Sequence, residues 1–401
     1  MQKLSTALGL PQHRFASIHV VGTNGKSSVA RMTAALLEAH GVPAGASISP
    51  HQRHWSERVL IGGREIDPAD FSAAVAKAAS AAENVNRGLA EGESVTQFEL
   101  ATAAAFVALA DARVEAAAIE AGLGGRLDAT NTIPSRVTVL TSVGLDHTEW
   151  LGATEEEIAA EKLAVLRDQT TLVLGRVSSR VRALAERTAA DRGAGLVVAP
   201  EDPGAGVQLR APGPFQRRNF ALAGAAVEAF LGELDSEAVA SVAAEVGVPG
   251  RLERIAEDPP TYIDAAHNAD GAAALAEALP EIAAGRPVIA CLAVLGEKDA
   301  AGMARALAPV FDWAVCTEVP GASPVDGPKT GNMGRFSASR RSIEAEELAR
   351  VCRDAGIAAE AEARLAEAAP RARRLAEEAG GVLVVTGSHY LLAAAREALG
   401  A

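Results

Sequence analysis

The chain is poor in cysteine, in aromatic residues and in positive charge. Its three cysteines, Cys291, Cys316 and Cys352, are too few and too odd in number for a disulfide framework, and their spacing fits no metal-binding pair. They predict a reduced, cytoplasmic protein. The 38 lysines and arginines stand against 51 acidic residues and form no basic block, so the net charge of −13 argues against nucleic acid or an anionic membrane as a partner.

Long apolar runs are also missing from the sequence. None reaches the roughly 18 residues that a membrane-spanning helix needs, and the first residues lack the basic-then-apolar pattern of a secretion signal. Membrane spanning and secretion are therefore not expected. The chain does have length and hydrophobic content, since 401 residues that are 49% hydrophobic suffice for two cores of ordinary size.

Short strand-like segments alternate with helix-like segments along the chain. The alternation predicts βαβ units and an α/β fold with mostly parallel sheets. The predicted strands are 18–21, 44–48, 116–119, 137–140, 171–174, 261–263, 288–292, 313–316 and 382–385. The predicted helices are 29–39, 70–82, 98–110, 155–166, 237–246, 272–279, 302–307, 345–352 and 363–377.

A turn-rich segment, Gly-Val-Pro-Gly-Arg at 247–251, divides these elements into two groups. We expect residues 1–246 to form a P-loop-containing domain, 247–251 to be a linker, and 252–401 to form a smaller, Rossmann-like α/β domain without a P-loop. A stretch rich in Gly, Pro and Ser, 320–339, is predicted to be a long surface loop.

A glycine-punctuated turn follows the first predicted strand and precedes the first predicted helix. Its residues are Gly22, Thr23, Asn24, Gly25 and Lys26. Backbone N–H groups in such a turn, together with the helix N-terminus, predict a site for the phosphates of a nucleotide. Lys26 would neutralise the outer phosphates, and Ser27 or Ser28 would bring a hydroxyl to magnesium. A strict P-loop has glycine where this chain has Val20, so the loop is a shorter variant.

Three further side chains point to catalysis. Glu120 ends a predicted strand and opens a glycine-rich loop, where a carboxylate suits magnesium. His147 follows the exit of another predicted strand. Lys162 shares a helix face with apolar residues, so it is either an ordinary snorkelling lysine or an amine of lowered pKa. Such an amine reacts with carbon dioxide, and the carbamate is an anionic metal ligand.

The second part of the chain offers a polar group just past a predicted strand. Asp264, His267 and Asn268 gather there, and Arg251 precedes them. Taken with Asn219, these side chains predict a cleft between the domains that closes on a nucleotide.

The motifs together resemble folylpolyglutamate synthase and dihydrofolate synthase of the Mur ligase superfamily. The resemblance covers nearly the whole chain. The segments that carry it are 22–26 (GTNGK), 49–51 (SPH), 98–99 (FE), 120–131 (EAGLGGRLDATN), 144–152 (GLDHTEWLG), 161–162 (EK), 249–251 (PGR), 264–268 (DAAHN), 295–299 (LGEKD) and 385–388 (VTGS).

The resemblance implies an ATP-dependent amide ligase that adds L-glutamate to a folate or to dihydropteroate through an acyl phosphate, and that works as a monomer. It implies magnesium, with two sites, and a carbamylated Lys162. The residues it implies for metal binding are Ser49, Glu120, His147 and Lys162; for the nucleotide, Thr23 to Lys26, Asn219, Arg251 and Asp264; for the pterin-bearing substrate, Thr96, Phe98, Asp128 and Ala129. Lys26, His147 and Lys162 are the implied catalytic residues.

Some positions depart from the family pattern. Ser27 stands where these enzymes usually have glycine, Phe215 where they have histidine, Ala269 where they have proline, and Gln97 where they have an aromatic residue. Two alternative functions therefore stay open at this point: a ligase of the same superfamily that acts on a cell-wall precursor, and a P-loop NTPase that performs no ligation. The segment 126–131 favours folate.

Overall fold

The structure is a computed structural model that describes residues 1–204, 206–321 and 341–401. The loop predicted at 320–339 lies almost wholly outside these residues. The chain divides into two compact units. The first comprises Met1–Arg210 and Arg217–Val246, and the second comprises Ala211–Gln216, 247–321 and 341–401.

The first unit is an α/β unit around one sheet. Its strands are β1 (Ala16–Val21), β2 (Ala44–Ser47), β3 (Val59–Ile61), β4 (Arg64–Glu65), β5 (Ala116–Glu120), β6 (Ser135–Leu140), β7 (Thr171–Leu174) and β8 (Gly195–Val198). Its helices are α1 (Gln2–Ala7), α2 (Lys26–Ala39), α3 (Pro68–Asn86), α4 (Gln97–Asp111), α5 (Thr148–Leu151), α6 (Glu155–Leu163), α7 (Ser179–Asp191), most of α8 (Pro214–Leu231), and α9 (Ser236–Glu245).

The strand order of this sheet is β4-β3-β2-β5-β1-β6-β7-β8. All neighbouring pairs from β2 to β8 are parallel, and β3 and β4 are antiparallel at one edge. β1 therefore lies near the middle, between β5 and β6, and its residues from Ser17 onward are fully buried. The loops that leave β1, β5 and β6 consequently meet at the carboxyl edge of the sheet, where open α/β sheets bind their ligands.

The second unit contains a smaller sheet. Its strands are β9 (Glu253–Glu257), β10 (Pro260–Ile263), β11 (Val288–Leu292), β12 (Trp313–Cys316), β13 (Ala358–Ala361) and β14 (Val382–Thr386), and its helices are α10 (Ala269–Ala283), α11 (Ala300–Leu307), α12 (Ala345–Asp354), α13 (Leu365–Glu378) and α14 (Leu392–Leu399). The order is β13-β12-β11-β14-β10-β9, and only the edge pair of β9 with β10 is antiparallel within the described residues.

Both sheets confirm the predicted fold class, an α/β protein with a mostly parallel first sheet and a smaller second α/β unit. The predicted strands agree with the observed ones to within two residues at each end. One helix prediction was wrong at its end, because α6 stops at Leu163 and not at residue 166. Val165 and Leu166 are fully buried beyond the helix, so the apolar pattern continues after the helical backbone has ended. Within the described residues, the helices are all too short or too polar to cross a membrane.

Candidate active site

The loop between β1 and α2 has a backbone that only glycine allows at two points. Gly25 precedes the helix with φ of 86°, and a Cβ there would lie 2.6 Å from Oδ1 of Asn219. Gly22 also has a positive φ, and a Cβ there would overlap Oγ1 of Thr141. The loop is thus tightly packed against α8 and against the segment that follows β6.

Hydrogen bonds hold this loop to residues 141–144. The backbone N–H of Thr23 donates to the carbonyl of Ser142 at 2.9 Å, and Thr141 Oγ1 donates to the carbonyl of Asn24 at 2.6 Å. The Nζ of Lys26 donates to the carbonyl of Thr23 at 3.2 Å. The loop is therefore fixed at the N-terminus of α2, where the helix dipole favours an anion.

A buried carboxylate lies beside the start of α2. Glu120, at the end of β5, is 4% exposed, and its Oε1 accepts a hydrogen bond from Ser27 Oγ at 2.9 Å. Its Oε2 accepts from the backbone N–H of Ser49 at 2.8 Å, while Ser27 Oγ also lies 3.2 Å from the carbonyl of Ser49. Ser28 is buried, and its hydroxyl has no hydrogen-bond partner among the described residues. Ser27, and not Ser28, therefore faces Glu120.

The oxygen atoms around Glu120 fit magnesium chemically. A carboxylate, a hydroxyl and a carbonyl are hard ligands, and Mg²⁺ completes its shell with phosphate and water. The part of the chain that the structure describes holds no group of three or more His, Cys, Asp or Glu side chains placed to bind a metal. A metal at Glu120 would thus depend on serine oxygens and on the nucleotide.

Lys162 on α6 reaches the same loop from below. It is buried, and its Nζ donates to the carbonyl of Gly22 at 2.9 Å. Burial, reinforced by the nearby charge of Lys26, lowers the pKa of Lys162 to about 7, although Asp146 and Asp128 oppose the shift. A substantial fraction of this amine is therefore neutral at physiological pH.

His147 lies at the same edge of the sheet. It has a left-handed backbone with φ of 52°, and its Nε2 is 3.9 Å from Oδ1 of Asp146. The imidazole is 43% exposed, so it is open to a ligand or to solvent. His147 follows β6, whereas Glu120 follows β5, so separate loops supply these two predicted metal ligands.

The residues expected to contact a pterin lie on two segments. Thr96 begins α4 and accepts a hydrogen bond from the backbone N–H of Glu99 at 3.1 Å. The ring of Phe98 packs so closely on Gly122 that a Cβ there would overlap it. Asp128 precedes the buried Ala129, and its Oδ2 accepts from the backbone N–H of Leu123 at 2.8 Å. Asp128 therefore shapes the glycine-rich loop as well as offering a carboxylate.

One residue in this network was not predicted. His19, in the middle of β1, is fully buried, and its Nε2 lies 2.8 Å from Thr130 Oγ1, which donates to Asp128 Oδ1 at 2.5 Å. Burial and, secondarily, Arg167 lower the pKa of His19 to about 3, so the ring is neutral. Because the Thr130 hydrogen goes to Asp128, we assign the ring proton to Nε2. The signal in the sequence is a histidine inside a β-branched run.

The second unit carries the other predicted nucleotide residues. Asp264 follows β10, and its carboxylate accepts hydrogen bonds from the backbone N–H groups of Leu252 and Ala266 at 2.7 and 2.8 Å. Burial raises its pKa, while Arg251 acts in the opposite direction. Asn268 caps α10, with Oδ1 accepting from Gly271 at 2.8 Å. Asp264 thus orders the backbone around Arg251, and Asn219 lies with the loop of the first unit.

Two family models match the chain. The Mur ligase middle domain matches residues 20–194, and the Mur ligase glutamate ligase domain matches residues 250–389. The fold, the phosphate-type loop and these matches define an ATP-dependent ligase of the Mur type.

Individual relatives narrow this class. The dihydrofolate synthase/folylpolyglutamate synthase of Mycobacterium tuberculosis is 39% identical over 78% of this chain and 72% of its own length. The solved M. tuberculosis folylpolyglutamate synthase, complexed with ADP and AMPPCP, has a TM-score of 0.89 and 34% identity over 100% of this chain and 94% of that chain. The Yersinia pestis bifunctional enzyme, complexed with AMPPNP and Mn, has a TM-score of 0.82 and 28% identity over 100% and 92%. The chain belongs to the folylpolyglutamate synthase/dihydrofolate synthase family.

The family resemblance predicted from the motifs is thereby confirmed. The alternative of a P-loop NTPase without ligase activity is not supported, because the chain is a member of a ligase family. The roles of individual residues stay predictions.

Proposed function

We propose that this chain forms an amide bond between the carboxyl group of a folate-type substrate and the amino group of L-glutamate, and that it uses ATP for this reaction. The observation that carries the proposal is the cluster of Ser27, Glu120 and Ser49 at the phosphate-type loop, with Lys162 bound to the loop carbonyl of Gly22. The cluster supplies hard oxygen ligands where the phosphates of ATP would lie.

The loop and its lysine bind the phosphates. The backbone N–H groups at the start of α2 point into the loop, and Lys26 adds a full positive charge. In the first step a substrate carboxylate attacks the γ-phosphorus, which gives an acyl phosphate and ADP. The amino group of glutamate then attacks the acyl carbon, and phosphate leaves. Lys26 stabilises negative charge in both steps.

Ser27 and Glu120 would hold magnesium. Bound Mg²⁺ offsets charge on the phosphates and orients the γ-phosphoryl group. The buried position of Glu120 keeps its carboxylate in one orientation, because both of its oxygens already accept hydrogen bonds. Ser49 belongs to this set through its backbone atoms.

Lys162 and His147 would form the second metal site. A neutral amine attacks carbon dioxide to form an N–C bond and releases one proton, and a pKa of about 7 makes the neutral form available to Lys162. The resulting carbamate is an anion, as a metal ligand requires. Asn219, which packs on Gly25, and Arg251 with Asp264 in the second unit are assigned to the nucleotide.

The substrate assignment depends on the family and on the Asp128 loop. Asp128 offers a carboxylate fixed by hydrogen bonds, which suits the amino and N–H donors of a pterin. Dihydropteroate and tetrahydrofolate are the two substrates that the relatives' names indicate. The chain would work in the cytoplasm as a monomer, and its three cysteines, which are buried and unpaired, suit a reducing compartment.

One assay tests the proposal. Phosphate release from ATP is measured with L-glutamate plus dihydropteroate, tetrahydrofolate or a muramyl precursor. The proposal predicts release that requires glutamate and one of the two pterins, and that Lys26→Ala abolishes. Release that depends only on the muramyl precursor, or that ignores glutamate altogether, would contradict it.

A further inference from the structure

An open cavity of about 750 Å³ lies in the first unit, away from the phosphate-type loop. It is lined by residues that precede β1, β6 and β7, so it lies at the amino edge of the sheet. The loop of Gly22 to Lys26 lies at the carboxyl edge. The six residues of β6 span about 20 Å. The cavity is thus about one strand length from the place where ATP is expected.

Three side chains on the cavity wall are buried and lack hydrogen-bond partners. Ser5, Gln12 and Ser135 are 1%, 2% and 2% exposed. Ser5 Oγ, Gln12 Oε1 and Ser135 Oγ form no hydrogen bond with any described residue. Buried polar atoms without partners are uncommon and destabilise a folded protein. Three such atoms around one cavity indicate that a polar occupant completes the site.

The charge of the cavity defines the sign of that occupant. His13, Arg136 and Arg167 line it, and no Asp or Glu among the described residues does so. Arg167 is held in place, because its Nη2 donates to the carbonyl of Asn131 at 2.7 Å and to Asn131 Oδ1 at 2.8 Å. A fixed guanidinium beside a second arginine suits a carboxylate or a phosphate.

The unpaired atoms define the rest of the ligand. Gln12 Oε1 is an acceptor, so it needs an O–H or N–H donor, and the hydroxyls of Ser5 and Ser135 can donate and accept. The volume is within the range of small-molecule sites. We propose that this cavity is a second ligand site, separate from the ATP site, for a hydroxylated organic anion: a small molecule with one carboxylate or phosphate group and several hydroxyl groups.

Isothermal titration calorimetry on the full chain tests the proposal with four probes. Glycerol 3-phosphate and glycerate carry the two anionic groups on a hydroxylated chain, glycerol lacks the charge, and inorganic phosphate lacks the carbon chain. We expect saturable, one-to-one binding of glycerol 3-phosphate, glycerate or both, and weaker or absent binding of glycerol and inorganic phosphate. Saturating AMPPNP with MgCl₂ should leave the binding unchanged.

Variants assign the binding to the cavity. Arg136→Gln should weaken it about tenfold, since it removes a charged hydrogen-bond donor. Gln12→Leu should weaken binding and also raise the melting temperature of the free protein, because it removes a buried acceptor that has no partner. Ser5→Ala is the milder variant and should act in the same direction. Arg350→Gln, on the exposed face of α12, is the matched control and should change neither quantity.

Several results would overturn the proposal. Absence of saturable binding by both anions would mean that water alone fills the cavity. Inorganic phosphate that binds as tightly as glycerol 3-phosphate would mean an adventitious ion only. Binding that AMPPNP abolishes would belong to the ATP site, and binding that Arg136→Gln and Ser5→Ala leave unchanged would lie elsewhere on the chain. None of these measurements depends on ligase activity.

Discussion

Ser27 and Ser28 are adjacent serines with opposite surroundings, and they form a matched pair of test positions. Ser27→Ala removes the hydrogen bond from Oγ to the carboxylate of Glu120 and the proposed hydroxyl ligand of magnesium. A hydrogen bond to a charged group is worth about 1.5–3 kcal/mol. We therefore expect kcat/KM for ATP to fall roughly 10- to 150-fold, with a higher MgCl₂ concentration needed for half-maximal rate.

Ser28→Ala removes a buried hydroxyl that has no partner among the described residues. Its activity should stay within about twofold of wild type, and its free energy of unfolding should be unchanged or higher by up to about 1 kcal/mol. The assay is steady-state phosphate release across an MgCl₂ titration, with urea unfolding of each variant alongside. Equal losses of activity in the two variants, or a Ser27→Ala enzyme as active as wild type, would refute the orientation of α2 on which this reasoning depends.

Three further predictions concern the surroundings of this site. Between pH 7 and 10.5 unfolded Lys162 binds a proton that the folded amine, with a pKa of about 7, does not, so wild-type stability should rise with pH in this window. Lys162→Met should lack this rise and should exceed wild type in stability by roughly 2–4 kcal/mol more at pH 7 than at pH 10 in urea unfolding; equal differences at both pH values would contradict the lowered pKa. Folded His19 stays neutral down to a pKa of about 3, so wild type should lose stability as pH falls from about 6.5 to 3, and His19→Gln should lose less; parallel acid unfolding curves would argue against it. Gly25→Ala should weaken ATP binding at least tenfold because its Cβ meets Asn219, whereas Gly41→Ala, also at positive φ but with open space around it, should cost only about 1 kcal/mol of stability and leave ATP binding intact; similar ATP affinities in the two variants would contradict the packing of Gly25.

The sequence predicted those parts of the fold that local pattern determines. The strands 171–174, 288–292 and 313–316 were predicted with their observed ends, because each is a short apolar run bounded by turn or helix signals. The antiparallel hairpin of β3 and β4 was not among the predicted elements, although Gly62-Gly63 between two short runs is a hairpin signal.

Other features depend on tertiary packing that a local pattern does not contain. The helix around Lys162 was predicted three residues too long, since buried residues past its end continue the apolar periodicity. The end of a helix depends on where the backbone turns away, and here the chain turns at Ala164 while its side chains stay in the core.

For the candidate site, the sequence located the loop and the strand-end carboxylate but not the contacts between them. It left the choice between Ser27 and Ser28 open, because the choice depends on the rotation of α2 after the left-handed Gly25. The bond from Lys162 to Gly22 joins residues 140 positions apart, and the chain from His19 through Thr130 to Asp128 joins residues 111 positions apart at its first step. Such pairs follow from the strand order of the sheet, which a single sequence does not specify.

The central claim is that this chain couples ATP to glutamate ligation, and mass spectrometry of the reaction products tests it most directly. The purified chain is incubated with ATP, MgCl₂, L-glutamate and either dihydropteroate or tetrahydrofolate. The account predicts that the pterin substrate gains at least one glutamyl residue, with one ADP formed for each amide bond. ATP consumption without any glutamylated product, or no consumption with either substrate, would contradict it.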